Sequence, residues 1–194
     1  MYIVGLGNPG EEYESSRHNV GRMILEKFRK KYDFSDWEFE KKMNGLVSTG
    51  KIGKKKATLL LPETFMNKSG VSVKKLVTSK KKAQDLVVVY DEIDMTLGTM
   101  KIVFNRGSGG HKGVESVARS LGTKEFSRMR IGISPSTPTG KIRKPKGEDK
   151  VVDFVLGKFN KKEEEKLNKV KKKAVEALGD FVENGRVYAM NHFN

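Results

Sequence analysis

A few side chains in this 194-residue chain have the types and positions needed to move a proton. His18 lies in Arg17-His18-Asn19-Val20-Gly21, at or just before the start of a helical pattern. Asp91 opens Asp91-Glu92-Ile93-Asp94, directly after the apolar run 86–90. A lone histidine at a helix start is ordinarily a cap or a surface residue. Carboxylates at the C-terminal edge of a strand change that reading, because ligands of open α/β sheets bind at that edge. A carboxylate beside an imidazole fixes its tautomer and raises its basicity. With no Cys and no G-x-S-x-G elbow, the nucleophile for such a base is most simply water.

Two neutral amides and one glycine-rich loop complete the candidates. Gly5-Leu6-Gly7-Asn8-Pro9-Gly10 follows an apolar strand pattern and has the spacing of a dinucleotide-binding turn. That reading wants helix N-terminal amides aimed at a pyrophosphate, whereas Pro9 removes one and Glu11 and Glu12 bring negative charge. No acidic residue ends a clear second strand about 20 positions on. What is left is a tight turn displaying Asn8, which both donates and accepts. Asn67 offers a second amide in Glu63-Thr64-Phe65-Met66-Asn67-Lys68-Ser69-Gly70. Gly107-Ser108-Gly109-Gly110-His111-Lys112-Gly113 precedes a helical pattern, and its glycines would let a large ligand approach the backbone. By itself, that loop is equally a plain connection.

The elements that must position these groups alternate along the chain. Strand-like runs fall at 2–6, 45–49, 57–61, 86–90, 100–104 and 130–134, and Leu59-Leu60-Leu61 and Val87-Val88-Val89 read as strands buried on both faces. Helical spacing appears in Val20, Met23, Ile24 and Phe28, in Val114, Val117, Ala118 and Leu121, and over about 161–183, with a shorter helix near 71–77. The expected fold is α/β: one mixed, twisted β-sheet flanked by helices, in a single domain over 1–194. Segment 135–150 carries three Pro, two Gly and several basic residues and is expected to be a basic loop, with a short apolar element at 151–156 after it.

Composition narrows the function classes. Lys and Arg number 39 against 24 Asp and Glu, a net charge of +15, which favours an anionic partner such as nucleic acid. Mean hydropathy is −0.57 and no run reaches the ~18–20 apolar residues of a membrane span. The absence of Cys excludes a disulfide scaffold, and three His without Cys make a metal cluster improbable. The strand-like opening Met1-Tyr2-Ile3-Val4 does not read as a secretory leader, so a cytoplasmic location is expected.

The clusters GLGNPG, RHNVG, ETFMNKSG, YDEID and SGGHKG, in this order and spacing, resemble the bacterial-type peptidyl-tRNA hydrolase family, and the similarity continues through Arg128–Ile133 and Val152–Gly157. The resemblance implies a monomeric, cofactor-free and metal-free enzyme. Its reaction is cleavage of the ester between a peptide and the 3′ ribose of tRNA, with peptidyl-tRNA as partner through its acceptor arm and 3′ end. By the same resemblance, His18 is the catalytic base, Asp91 its orienting carboxylate, and Asn8 and Asn67 the amides that position the substrate. Tyr13, Phe65 and Met66 line the peptide site and His111 helps gate the cleft. Arg130 and Lys150 face the acceptor arm, with Arg106 standing in for a basic position lost at Val103. One departure is plain: the family's Gly-His-Asn-Gly is here Gly110-His111-Lys112-Gly113, which puts a cation without acceptor capacity at a substrate-contacting position. The alternative is a non-catalytic RNA-binding or splicing partner on the same fold, a reading against which the retained His18, Asp91, Asn8 and Asn67 weigh.

Overall fold

The computed structural model describes residues 1–194. Seven strands form one sheet: β1 (Tyr2–Gly5), β2 (Glu38–Glu40), β3 (Gly45–Ile52), β4 (Lys55–Pro62), β5 (Leu86–Thr96), β6 (Met100–Phe104) and β7 (Ser127–Ser134). Their order is β2-β3-β4-β1-β5-β7-β6. The central strands β4, β1, β5 and β7 run parallel, while β2, β3 and β6 join antiparallel. The helices are α1 (Val20–Lys31), α2 (Ser69–Leu76), α3 (Lys80–Ala83), α4 (Lys112–Leu121), α5 (Glu148–Leu156), α6 (Lys161–Asn184) and α7 (Arg186–Phe193).

The continuous apolar runs are explained by two cores, one on each face of the sheet. Ile3, Leu59, Leu61, Val87 and Val89 pack with α1 and α6, whereas Val4, Leu60, Leu86, Val88 and Tyr90 pack with α2 and α4. Alternation along β5 therefore carries Asp91 to the α1 face and Glu92 to the α4 face.

Three expectations are refined. β5 runs on to Thr96, so the acidic run lies inside the strand; it still clears the sheet edge, because β1 pairs with β5 only as far as Val89. The basic loop ends at Gly147, so Lys150 sits in the first turn of α5. The loop is also less irregular than its Pro and Gly suggest, since Ser136 bridges Ile142. The short apolar element after it proves to be the body of α5.

Candidate active site

His18 is held in a single 3-10 turn, Arg17–Asn19, that runs into α1. Gly21 lets that helix start lie directly on the sheet: a Cβ there would stand 2.4 Å from the Val89 carbonyl oxygen and 2.7 Å from that of Leu6. Only glycine permits this approach, and it brings the turn to the ends of β1 and β5, the carboxyl edge where doubly wound sheets bind ligands.

His18 Nδ1 lies 2.9 and 3.0 Å from the two oxygens of Asp91. His111 Nε2 lies 2.9 Å from Asp91 Oδ1, so one carboxylate serves two imidazoles. The rings stand 5.1 Å apart, and Tyr90 packs edge-on to His111 at 4.8 Å. Asp91 is only 2% exposed. Burial alone would push its carboxyl up, but the charges and hydrogen bonds of His18 and His111 outweigh that and hold it well below the usual carboxylate range.

Hydrogen bonding assigns the tautomers. His111 caps α4, its Nδ1 accepting the Val114 N–H at 3.3 Å. Its ring proton then sits on Nε2 and is donated to Asp91. Asp91 accepts from His18 Nδ1–H in the same way, which leaves His18 Nε2 with a free lone pair. His18, Asp91 and His111 offer ligand atoms within 4.8 Å of one another, as a metal site would. With the tautomers assigned above, the nitrogens that face Asp91 donate to it, and the three groups form a hydrogen-bonded triad.

His18, Asp91 and His111 line a cleft of about 280 Å³, walled on one side by Val151, Val152 and Val155 of α5. Lys112 lines it too, but its Nζ turns to Glu148 at 2.8 Å, across to the start of α5. Asn8 is locked from three sides. Its main chain is clasped by the Asn19 side chain at 2.8 and 2.9 Å, and its own Oδ1 accepts the Met66 N–H at 2.9 Å. With the carbonyl oxygen committed, the amide NH₂ is the group left to donate to a ligand. Asn8 lines a second cleft, of about 510 Å³.

Other expected site residues lie further out. Phe65 is 58% exposed, Asn67 is exposed in the 3-10 turn Met66–Lys68, and Tyr13 is half-buried in the turn Glu11–Tyr13. None of the three lines the His18 cleft. Met66 is buried and acts on Asn8 through its backbone. Arg130 is oriented by buried Glu92, whose Oε2 accepts its Nε–H at 2.9 Å. Arg106 and Lys150 are exposed, on separate elements. Sequence reasoning missed Asn19, whose clasp on Asn8 links the two ends of the site. Its place beside His18 in the same motif was the available signal.

An α/β sheet with a carboxylate-paired imidazole at its carboxyl edge has the groups that general-base chemistry uses. The family profile described as peptidyl-tRNA hydrolase matches residues 2–194. The peptidyl-tRNA hydrolase of Syntrophotalea carbinolica is 38% identical over 193 residues, 99% of this chain and 95% of that protein. That of Bacillus anthracis is 39% identical, over 99% and 98%. The crystal structure of peptidyl-tRNA hydrolase from Acinetobacter baumannii superposes with a TM-score of 0.88 at 32% identity, covering 100% of this chain and 93% of that one. The chain belongs to the peptidyl-tRNA hydrolase family.

Proposed function

We propose that this protein hydrolyses the ester joining a peptide to the 3′ ribose of tRNA, with His18 as general base. The observation that carries this is the His18–Asp91 pair at 2.9 Å, which leaves Nε2 free in a cleft at the sheet's carboxyl edge. Water gives its proton to Nε2 as its oxygen attacks the ester carbonyl. The developing oxyanion needs a neutral donor, and our candidate is the Asn8 amide, which Asn19 and Met66 hold at the neighbouring cleft. The acyl–oxygen bond then breaks, and the ribose oxygen recovers a proton from the imidazolium. The 3′ hydroxyl is a better leaving group than an amine, so one base suffices.

The net charge of +15 suits a tRNA partner, and Arg130, Arg106 and Lys150 are the cations assigned to its acceptor arm. A tRNA partner is our reason for assigning the work to the cytoplasm. No helix is long and apolar enough to cross a membrane. Lys112 lines the cleft with its ammonium group paired to Glu148, an exposed partner from which substrate can displace it.

The test is hydrolysis of an N-acetylaminoacyl-tRNA beside the free aminoacyl-tRNA. Cleavage of the N-blocked substrate alone is expected, and His18→Ala should lower turnover at least ~10²-fold with tRNA binding retained. Binding without cleavage by the parent protein would instead establish a non-catalytic RNA-binding role.

A further inference from the structure

Arg17 precedes His18 and has no part in the reaction above, yet it is one of the most heavily committed side chains in the molecule. The residue is only 8% exposed. Nη2 donates to both carboxylate oxygens of Glu163, at 3.1 and 2.8 Å, and Nη1 donates to the Lys158 carbonyl at 2.7 Å. The cation lies 4.8 Å from the ring centroids of both Phe154 and Phe159. In the main chain, Arg17 N–H donates to Gly157 O at 3.0 Å, and Ser16 bridges Lys158. Glu163 is itself immobilised, since it closes the capping box of α6 with Asn160.

All of these contacts fall on the junction between α5 and α6. The same α5 forms the apolar wall of the His18 cleft through Val151, Val152 and Val155. Arg17 thus joins the turn bearing His18 to the end of the helix that shapes the substrate's space. Stability is a weak reason for the arrangement, because a buried Arg–Glu pair gains little over an apolar replacement once desolvation is counted. A rigid guanidinium plane with Nη2 on the Glu163 carboxylate and Nη1 on the Lys158 carbonyl is suited instead to fixing geometry. Geometry matters one residue on, since a base displaced by about 1 Å can lose ~10²-fold in rate.

We propose that Arg17 is a positioning residue for the hydrolysis. It fixes His18 against α5, so that the base and the cleft wall keep one spacing. Asn19 performs the complementary task on the other flank of His18, by clasping Asn8. This inference rests on the reading of His18 as general base.

The test compares R17K, which keeps the charge but loses the fork, with E163Q, which keeps an acceptor for the Asn160 cap but loses the charge. V175A, at a buried position of α6 remote from these contacts, serves as the stability control. Four quantities are read: kcat and KM for N-acetylaminoacyl-tRNA, the proton resonance of His18 Nδ1–H, and the melting temperature. R17K and E163Q should each lower kcat roughly 10- to 100-fold, leave KM within about twofold, and broaden or abolish the Nδ1–H resonance. The double variant should be no worse than R17K alone, since both remove one interaction. V175A should lower the melting temperature while keeping kcat and the resonance. Should R17K fail to fold, E163Q carries the same expectation. A folded R17K or E163Q with unchanged kcat overturns the proposal, as does a kcat loss matched by V175A at equal loss of melting temperature. If the parent protein does not cleave the substrate, the proposed function fails, while the Nδ1–H resonance still decides whether Arg17 positions His18.

Discussion

Replacing Asp91 by Asn tests the core of the site with almost no change of shape. The carboxylate accepts from His18 Nδ1–H and from His111 Nε2–H, all at 2.9–3.0 Å, and is 2% exposed. Oδ1 accepts from both rings and Oδ2 faces His18 alone, so an amide sets its NH₂ against His18 in either orientation. His18 then meets a donor, turns its proton to Nε2 and loses its free base. A hydrogen bond to a charged group is worth about 1.5–3 kcal/mol, which on its own is roughly 10- to 150-fold in rate. The tautomer error adds to it, and the corresponding substitution in Ser-His-Asp triads costs about 10⁴-fold. Asp91→Asn should therefore lower single-turnover hydrolysis of N-acetylaminoacyl-tRNA by ~10²- to 10⁴-fold while tRNA binding holds. Nitrogen-15 spectra of the His18 ring should show the proton moving from Nδ1 toward Nε2. Stability follows with a definite sign. A carboxyl held below its ordinary value of about 3.9 contributes stability that is fully present above that pH and lost as pH falls through its folded value. The variant should thus be less stable near neutrality, and the gap should close in strong acid. Activity within about threefold of the parent, with an unaltered His18 tautomer, would falsify the assignment of Asp91 as the orienting group.

Other expectations follow from the same geometry. Asn8→Ala removes the acceptor for the buried Met66 N–H and the candidate oxyanion donor, so kcat should fall ~10²- to 10³-fold. The unpaired N–H should cost about 1–3 kcal/mol in a denaturant titration. Arg130→Gln should leave kcat unchanged, raise KM and reduce the slope of log affinity against log salt by about one phosphate contact; an unchanged slope would remove Arg130 from the RNA-facing set. Lys112→Asn dissolves the pair with Glu148, whose partners are 60% and 76% exposed, so the melting temperature should not move. Its effect on kcat then reads directly whether the amide usual in the family serves the chemistry better than the lysine.

The sheet was legible where burial left one reading. Leu59-Leu60-Leu61 and Val87-Val88-Val89 are apolar throughout because the two cores take alternate residues of the same strand. β2 left no such trace: Glu38-Phe39-Glu40 is a three-residue edge strand with every side chain exposed. The start of α5 was hidden by its surroundings, since Pro and Gly up to Gly147 extend the appearance of a loop. Glu148 and Asp149 in its first turn were the overlooked sign, being acidic residues at a helix N-terminus. Within the site, His18 and Asp91 could be paired in advance because one opens a helix and the other leaves a strand at the same edge of an α/β sheet. The commitment of Lys112 to Glu148 could not, because it joins the starts of α4 and α5 across the cleft and depends on how both helices pack.

The direct bond from His111 to Asp91 was equally hidden, and it bears on which histidine does the work. The loop that delivers His111 turns at Gly109 and Gly110, whose φ of 63° and 81° favour glycine. Two imidazoles then share one buried carboxylate, so proximity to Asp91 does not distinguish them. Their remaining nitrogens do. His111 Nδ1 accepts the Val114 N–H that caps α4, so taking up a proton there would break a helix cap and set two donors face to face. His18, which lines the cleft, carries no such debt at Nε2. The carboxylate serves both histidines alike, and only His18 keeps an uncommitted nitrogen, as the proposed base requires. That division is made by the first turn of α4, not by the residues that meet the substrate.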